Sequence, residues 1–155
     1  MKFSTREDID APIEHVFAEL SDFSTFERSA MRRGAQVRRM DTQDVRGPGM
    51  SWQADFALRG KMRSVLIELE EFEAPTHMGF SGKSPGLNGF CDIELLALSP
   101  NKTRMRLSVD IKPLTLSTRL LVQSLKLAKG SADKKFEDRI AEFSKDVAGR
   151  YRQTA

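Results

Sequence analysis

Two histidines and one cysteine are all that the 155-residue sequence offers to imidazole or thiol chemistry. His15 and His77 are far apart, and neither has a second His or Cys at ligand spacing, which argues against a zinc site. No metal and no cofactor is expected. His77 follows Pro75-Thr76 at a turn. It would serve as a general base only if the turn aimed it into a pocket mouth, and a plain turn residue is the simpler reading. His15 lies beside an apolar helical stripe and is expected to face solvent. Cys91 sits between Phe90 and Asp92 in a strand-like pattern, where a buried, inert thiol is the default. Glu68, Glu70, Glu71 and Glu73 form an acidic run, for which a solvated outer face outweighs a catalytic carboxylate. There is no Gly-x-Ser-x-Gly elbow, P-loop or dinucleotide fingerprint, and Gly47-Pro48-Gly49 has a proline where a phosphate cradle needs N–H donors. No catalytic residue is assigned.

Charge marks two further regions. Arg28, Arg32, Arg33, Arg38 and Arg39 form a basic cluster. Beside a pocket it would draw an anionic headgroup or a ligand carboxylate, and otherwise it serves solubility. The net charge is +3, yet residues 112–155 carry ten Lys/Arg against five Asp/Glu. Such a segment favours anionic surfaces or RNA if it is not simply a solvated helix face.

The elements that must position these residues follow from hydrophobic period. Phe3–Asp10 reads as a strand with Phe3, Thr5, Glu7 and Ile9 on one face. Pro12 then opens a helix whose stripe is Ile13, Val16, Phe17 and Leu20. Ser24-x-x-Glu27 is a capping-box pattern for a second short helix near Phe23–Met31. Beyond it the period drops to two. Gln36–Met40 is a weak strand. Met50, Trp52, Ala54, Phe56 and Leu58 alternate with polar neighbours. Arg59-Gly60-Lys61 turns the chain, and Met62–Phe72 returns. Met78–Gly82, Phe90–Leu98 and Thr103–Ile111 complete an antiparallel meander punctuated by Pro75, Pro85-Gly86 and Ser99–Lys102. After Pro113, Ser117 or Thr118 is a candidate cap. Leu121, Leu125, Ala128, Ala132, Phe136, Ile140, Phe143 and Val147 then describe one long amphipathic helix, bent if anywhere at Gly130.

This order implies an α+β fold over residues 1–155, without a linker or repeat. A curved antiparallel sheet of six to seven strands carries two short helices and a long C-terminal helix over its concave face. A sheet with one apolar face must bury it. One helix, about 10 Å wide, leaves space across such a sheet unless large side chains fill it. The residues aimed at that space are Trp52, Phe56, Leu58, Phe80, Met105, Leu107, Val109, Leu121 and Leu125. An interior so lined suits an apolar ligand with few polar handles, although each of these residues taken singly is more simply read as packed core.

The run Ile9-Asp10-Ala11-Pro12, followed by Val16-Phe17 and Leu20-Ser21-Asp22-Phe23, resembles the opening of the START-like, or SRPBCC, superfamily. Gly47-Pro48-Gly49-Met50-Ser51-Trp52 resembles its Gly-x-Gly turn into an aromatic strand, and Glu71-Phe72-Glu73-Ala74-Pro75 its acidic strand end. The resemblance implies a helix-grip fold of the polyketide cyclase/dehydrase and lipid transport type. It also implies binding of a hydrophobic small molecule or lipid between sheet and C-terminal helix. Some members are cyclase- or dehydratase-type enzymes and others act on protein partners, so fold alone leaves these alternatives open. In this fold the second short helix, and hence the arginine cluster, usually borders the pocket entrance.

The longest apolar runs, such as Leu95–Leu98, are far short of the roughly 20 residues of a bilayer span. Met1–Ser4 has no apolar signal-peptide region and one cysteine forms no intrachain disulfide, so a cytoplasmic protein is expected. Peripheral membrane or RNA contact through the basic C-terminal helix stays open, DNA binding is not expected, and the chain is read as a monomer or homodimer.

Overall fold

The computed structural model describes residues 1–154. In chain order the elements are β1 (Lys2–Ile9), α1 (Ile13–Leu20), α2 (Phe23–Arg32), β2 (Gln36–Arg39), β3 (Ser51–Leu58), β4 (Lys61–Glu73), β5 (His77–Ser84), β6 (Leu87–Ser99), β7 (Lys102–Pro113), α3 (Leu116–Leu127) and α4 (Lys129–Thr154). The strands make one seven-stranded sheet in the order β1-β7-β6-β5-β4-β3-β2, antiparallel throughout. β1 closes the meander by pairing with the last strand, Phe3 opposite Val109 and Ile9 opposite Thr103.

Period-two alternation decides which residues meet the helices. Ile9, Leu69, Met78 and Met105 are almost wholly buried on the inner face, together with Val16 of α1 and Val147 of α4. Burying a side chain of this size stabilises the fold by about 1.5–3 kcal/mol relative to leaving it in water. Strict alternation fails once on β4. A bulge between Leu69 and Glu71 slips the register by one residue, so Phe72 joins Ile67 and Leu69 on the inner side. Its ring meets Phe17 at 5.2 Å. The β3–β4 hairpin turns on Arg59 and Gly60, both at positive φ (54° and 73°), as a two-residue turn with the natural strand twist requires.

Three local expectations are corrected. α2 begins immediately after Asp22, whose carboxylate accepts from the Thr25 N–H and hydroxyl, so Ser24 lies inside the helix and is not its cap. Glu27 is then free of capping and takes the indole N–H of Trp52. α3 is capped by Thr115, with Thr118 closing the box, so Ser117 and Thr118 lie within the helix. The C-terminal segment is two helices, not one. The chain leaves helical geometry at Ala128 (φ −104°, ψ 18°), and Gly130 falls within the first turn of α4.

The break has a packing cause. α3 is pinned to the β5–β6 turn, where the Thr118 hydroxyl donates to the Gly86 carbonyl at 2.6 Å. α4 instead runs along β1 and α1. Phe136 packs on Phe3 (5.9 Å), Phe143 on Phe26 (5.9 Å), and Arg150 grips Glu19 at 2.6 Å. One straight rod cannot meet both sets of partners. Tyr151 lies against His15 at 5.2 Å, so His15 is half-buried between α1 and α4 rather than facing solvent.

Candidate functional site

The helices leave one end of the inner face incompletely covered. α4 follows β1 and α3 packs on β7, while Phe56, Leu58 and Val65 near the β3–β4 hairpin stay half-exposed. Between this end of the sheet and α3 lies a partly open hollow of about 180 Å³. Its walls are Phe56, Leu58, Val65, Leu87 and Ile111, and the buried Thr118 of α3 also lines it.

The hollow exists because its floor lacks side chains. Gly82 of β5 and Gly89 of β6 are cross-strand partners, and both line it. A Cβ on Gly82 would come within 3.3 Å of Val65 Cγ2, so the valine already leans over the bare backbone. A Cβ on Gly89 would meet only the Asp110 carbonyl, at an ordinary 3.7 Å. The polar groups of the lining are Arg63, Ser84, Asn88 and Thr118. Arg63 donates weakly to the Leu58 carbonyl (3.4 Å), which leaves most of its guanidinium donors unengaged within the protein.

Of the residues expected to face a ligand, Phe56 and Leu58 line this hollow. Trp52 sits elsewhere, in an aromatic cluster: Phe23 meets it edge-on at 5.3 Å, Phe80 lies at 6.5 Å, and the Arg39 guanidinium lies over it at 5.9 Å. Met105 is sealed in the core. Leu107 and Val109 are half-buried along β7, and Leu121 and Leu125 are half-buried on α3. Val65, Leu87, Ile111 and the glycine floor were not expected. The glycines did leave a signal, because Gly82 and Gly89 are symmetric about the Pro85-Gly86 turn and a tight hairpin must pair them.

None of the clustered arginines lines the hollow. Arg28 donates to Thr25 and Arg39 to Asp41, while Arg32, Arg33 and Arg38 are exposed. Asp41 is held well below the usual carboxylate range by the Arg39 guanidinium, helped by the Ser51 and Gln43 N–H groups. Cys91 is a half-buried thiol on the inner face, pushed up to about 12 by desolvation and so kept protonated.

His77 faces the outer side of the sheet, away from the hollow. Glu71, Gly79 and Asp92 form a row across three strands, and the Glu71 side chain lies over the bare Gly79 backbone, 3.3 Å from where a Cβ would stand. Nδ1 is 3.0 Å from Glu71 Oε2, and Nε2 is hydrogen-bonded to Asp92. The Asp92 hydrogen bond raises the His77 pKa against the effect of burial, and the charges of Asp92, Glu71 and Glu73 add to it. Glu71, His77 and Asp92 offer ligand atoms within 4.8 Å of one another. Their carboxylates, however, engage opposite nitrogens of one ring, which is the geometry of a clamped imidazolium rather than of ligands converging on one ion. A larger hollow of about 450 Å³ adjoins His77 on this face. Its lining sets Leu95 and Leu96 among Thr76, Glu94, Arg104 and Arg106, and these charged side chains suit an apolar molecule poorly. Among the described residues no helix is long and apolar enough to cross a membrane.

The sequence profile of the polyketide cyclase/dehydrase and lipid transport family matches residues 1–145, and the chain belongs to that family. Its fold is similar to that of TTHA0849 from Thermus thermophilus, with a TM-score of 0.69 at 14% identity over 97% of this chain and 99% of that one. A START superfamily protein from Mycobacterium smegmatis gives 0.64 at 12% identity over 99% of each chain. The Zhui aromatase/cyclase from Streptomyces sp. R1128 gives 0.59 at 11% identity over 74% of this chain and 69% of that one. At such identities the likeness is one of fold. Comparison with curated proteins gave no match.

Proposed function

We propose that the protein binds a hydrophobic small molecule or the apolar end of a lipid in the hollow between β3–β6 and α3. The observation that carries this reading is the bare Gly82–Gly89 floor ringed by Phe56, Leu58, Val65, Leu87 and Ile111. An apolar group placed there is sheltered from water by the floor and walls of this partly open hollow. The hollow, at about 180 Å³, is smaller than the roughly 300–1,000 Å³ usual for small-molecule sites. It therefore receives one end of an elongated ligand, or deepens as α3 swings about the break at Ala128. Arg63 suits a carboxylate or hydroxyl at the other end. The family's description, which joins cyclase and dehydrase activities with lipid transport, supports the same ligand class.

Binding is placed ahead of catalysis because a cyclase or dehydratase needs a group that exchanges a proton near neutrality. The lining offers the Arg63 guanidinium and hydroxyl and amide groups, and no imidazole, carboxyl or thiol. Native mass spectrometry of the gently purified protein tests the proposal. A bound apolar species that is released on denaturation is expected. A bare mass, together with failure to take up a fluorescent fatty acid, would remove the reading.

A further inference from the structure

α3 is apolar on two opposite sides. Thr118 and Val122 are buried, and Leu121 and Leu125 half-buried, on the side that meets the protein. Leu116, Leu120 and Leu127 are 73%, 58% and 93% exposed. At 3.6 residues per turn they fall on one stripe, opposite the packed side. Leu114, 58% exposed, precedes the helix. An amphipathic helix of a soluble domain ordinarily turns its second side to water with polar residues, and here that side carries three leucines around a single exposed Gln123.

The surrounding charge selects the occupant. From Lys112 to Lys135 there are six Lys/Arg and a single acidic residue, Asp133, a net +5. Arg119 and Lys126 border the leucine stripe on the helix wheel. A second copy docked face to face would set +5 against +5. A nucleic acid would satisfy the charge but leave the leucines in water. An anionic bilayer satisfies both, with leucines entering the acyl boundary and cations held among the headgroups.

We propose that α3 is an interfacial helix that docks the protein on an anionic lipid surface through Leu116, Leu120 and Leu127, assisted by Leu114 and the flanking lysines and arginine. The docking stands on exposed leucines and local charge, and does not depend on the hollow having an occupant. If the hollow does hold a lipid, Thr118 makes the packed side of the bilayer-facing helix part of its lining.

Co-sedimentation of the full chain with vesicles tests this, comparing pure phosphatidylcholine with phosphatidylcholine containing about 30% phosphatidylserine. Binding to the anionic vesicles is expected, weakening as salt rises. The combined variant Leu116→Ser, Leu120→Ser, Leu127→Ser should lower partitioning by about tenfold or more. Arg119→Gln with Lys126→Gln and Lys129→Gln should reduce the preference for anionic vesicles and flatten the salt dependence. All these side chains are exposed, so circular dichroism should show unchanged folding. Absence of binding at low salt overturns the proposal, as does equal binding by the leucine variant. A concentration-dependent dimer abolished by the leucine changes, without vesicle binding, also overturns it and assigns the face to self-association.

Discussion

Glu27 and Trp52 show how one polar contact fixes an aromatic core. The indole N–H is buried and donates to the Glu27 carboxylate across α2 and β3, so the ring is held edge-on to Phe23. Removing the acceptor leaves a part-buried donor unpaired. Glu27→Leu should lower stability by about 1.5–3 kcal/mol and Glu27→Gln by clearly less, because an amide oxygen can still accept. Denaturant titration separates the two, and equal effects would deny the hydrogen bond its role. At His77 the relevant variable is pH. Glu71 and Glu73 on β4 and Asp92 and Glu94 on β6 face or border it, and its pKa is raised above the ordinary 6.5, chiefly through Asp92. A raised folded-state pKa gives stability that is complete below the unfolded value and lost as pH rises through the folded value. The denaturation midpoint of the wild type should therefore fall across that window more than that of His77→Gln. The carboxylates are about half-exposed, so the difference should stay below about 1 kcal/mol. Parallel pH profiles would contradict the assignment.

Glycines set the behaviour of the elements, in opposite directions at two positions. Gly86 adopts φ 73°, and a Cβ there would lie 2.9 Å from the Thr115 hydroxyl oxygen. Gly86→Ala should lower stability by at least about 1 kcal/mol and loosen the start of α3. Gly130 lies in α4 with open space around it and no positive φ. Gly130→Ala should raise stability by about 0.5–1 kcal/mol. Thermal unfolding checks both signs. Much of this architecture was legible in the sequence because alternation along β3 and β7, and the stripes of α1 and α4, each carry a clear period. Contacts between elements override such periods locally, and there reading failed. Glu70 enters a bulge that turns Phe72 inward, Trp52 draws Glu27 away from a cap, and the different partners of Thr118 and Phe136 split one expected helix at Ala128. The candidate site was legible only at Phe56 and Leu58, and its other walls, Val65, Leu87 and Ile111, were not expected. Its floor at Gly82 and Gly89 consists of missing side chains, which hydropathy does not register, and Trp52 and Met105 fill the core elsewhere along the same inner face.

At the scale of the whole molecule, α4 anchors one flank of a curved sheet while α3 stands over the opposite end on short contacts. Packing by Val147 and Phe136 and the ion pair between Arg150 and Glu19 hold α4 to that flank. The second keeps an apolar hollow on one side of α3 and a leucine stripe on the other. A ligand that binds only the folded state raises stability by mass action, about 2.7 kcal/mol at a hundred times its dissociation constant. Saturating fatty acid should therefore raise the melting temperature of the wild type. Gly89→Leu should fold, since a Cβ there meets only an ordinary contact, and should occupy the hollow with its own side chain. The decisive measurement is a fluorescent fatty-acid titration of wild type and Gly89→Leu side by side. Saturable, one-to-one binding by the wild type that the leucine abolishes is the predicted result, and undiminished binding by Gly89→Leu would place the ligand elsewhere and contradict the account.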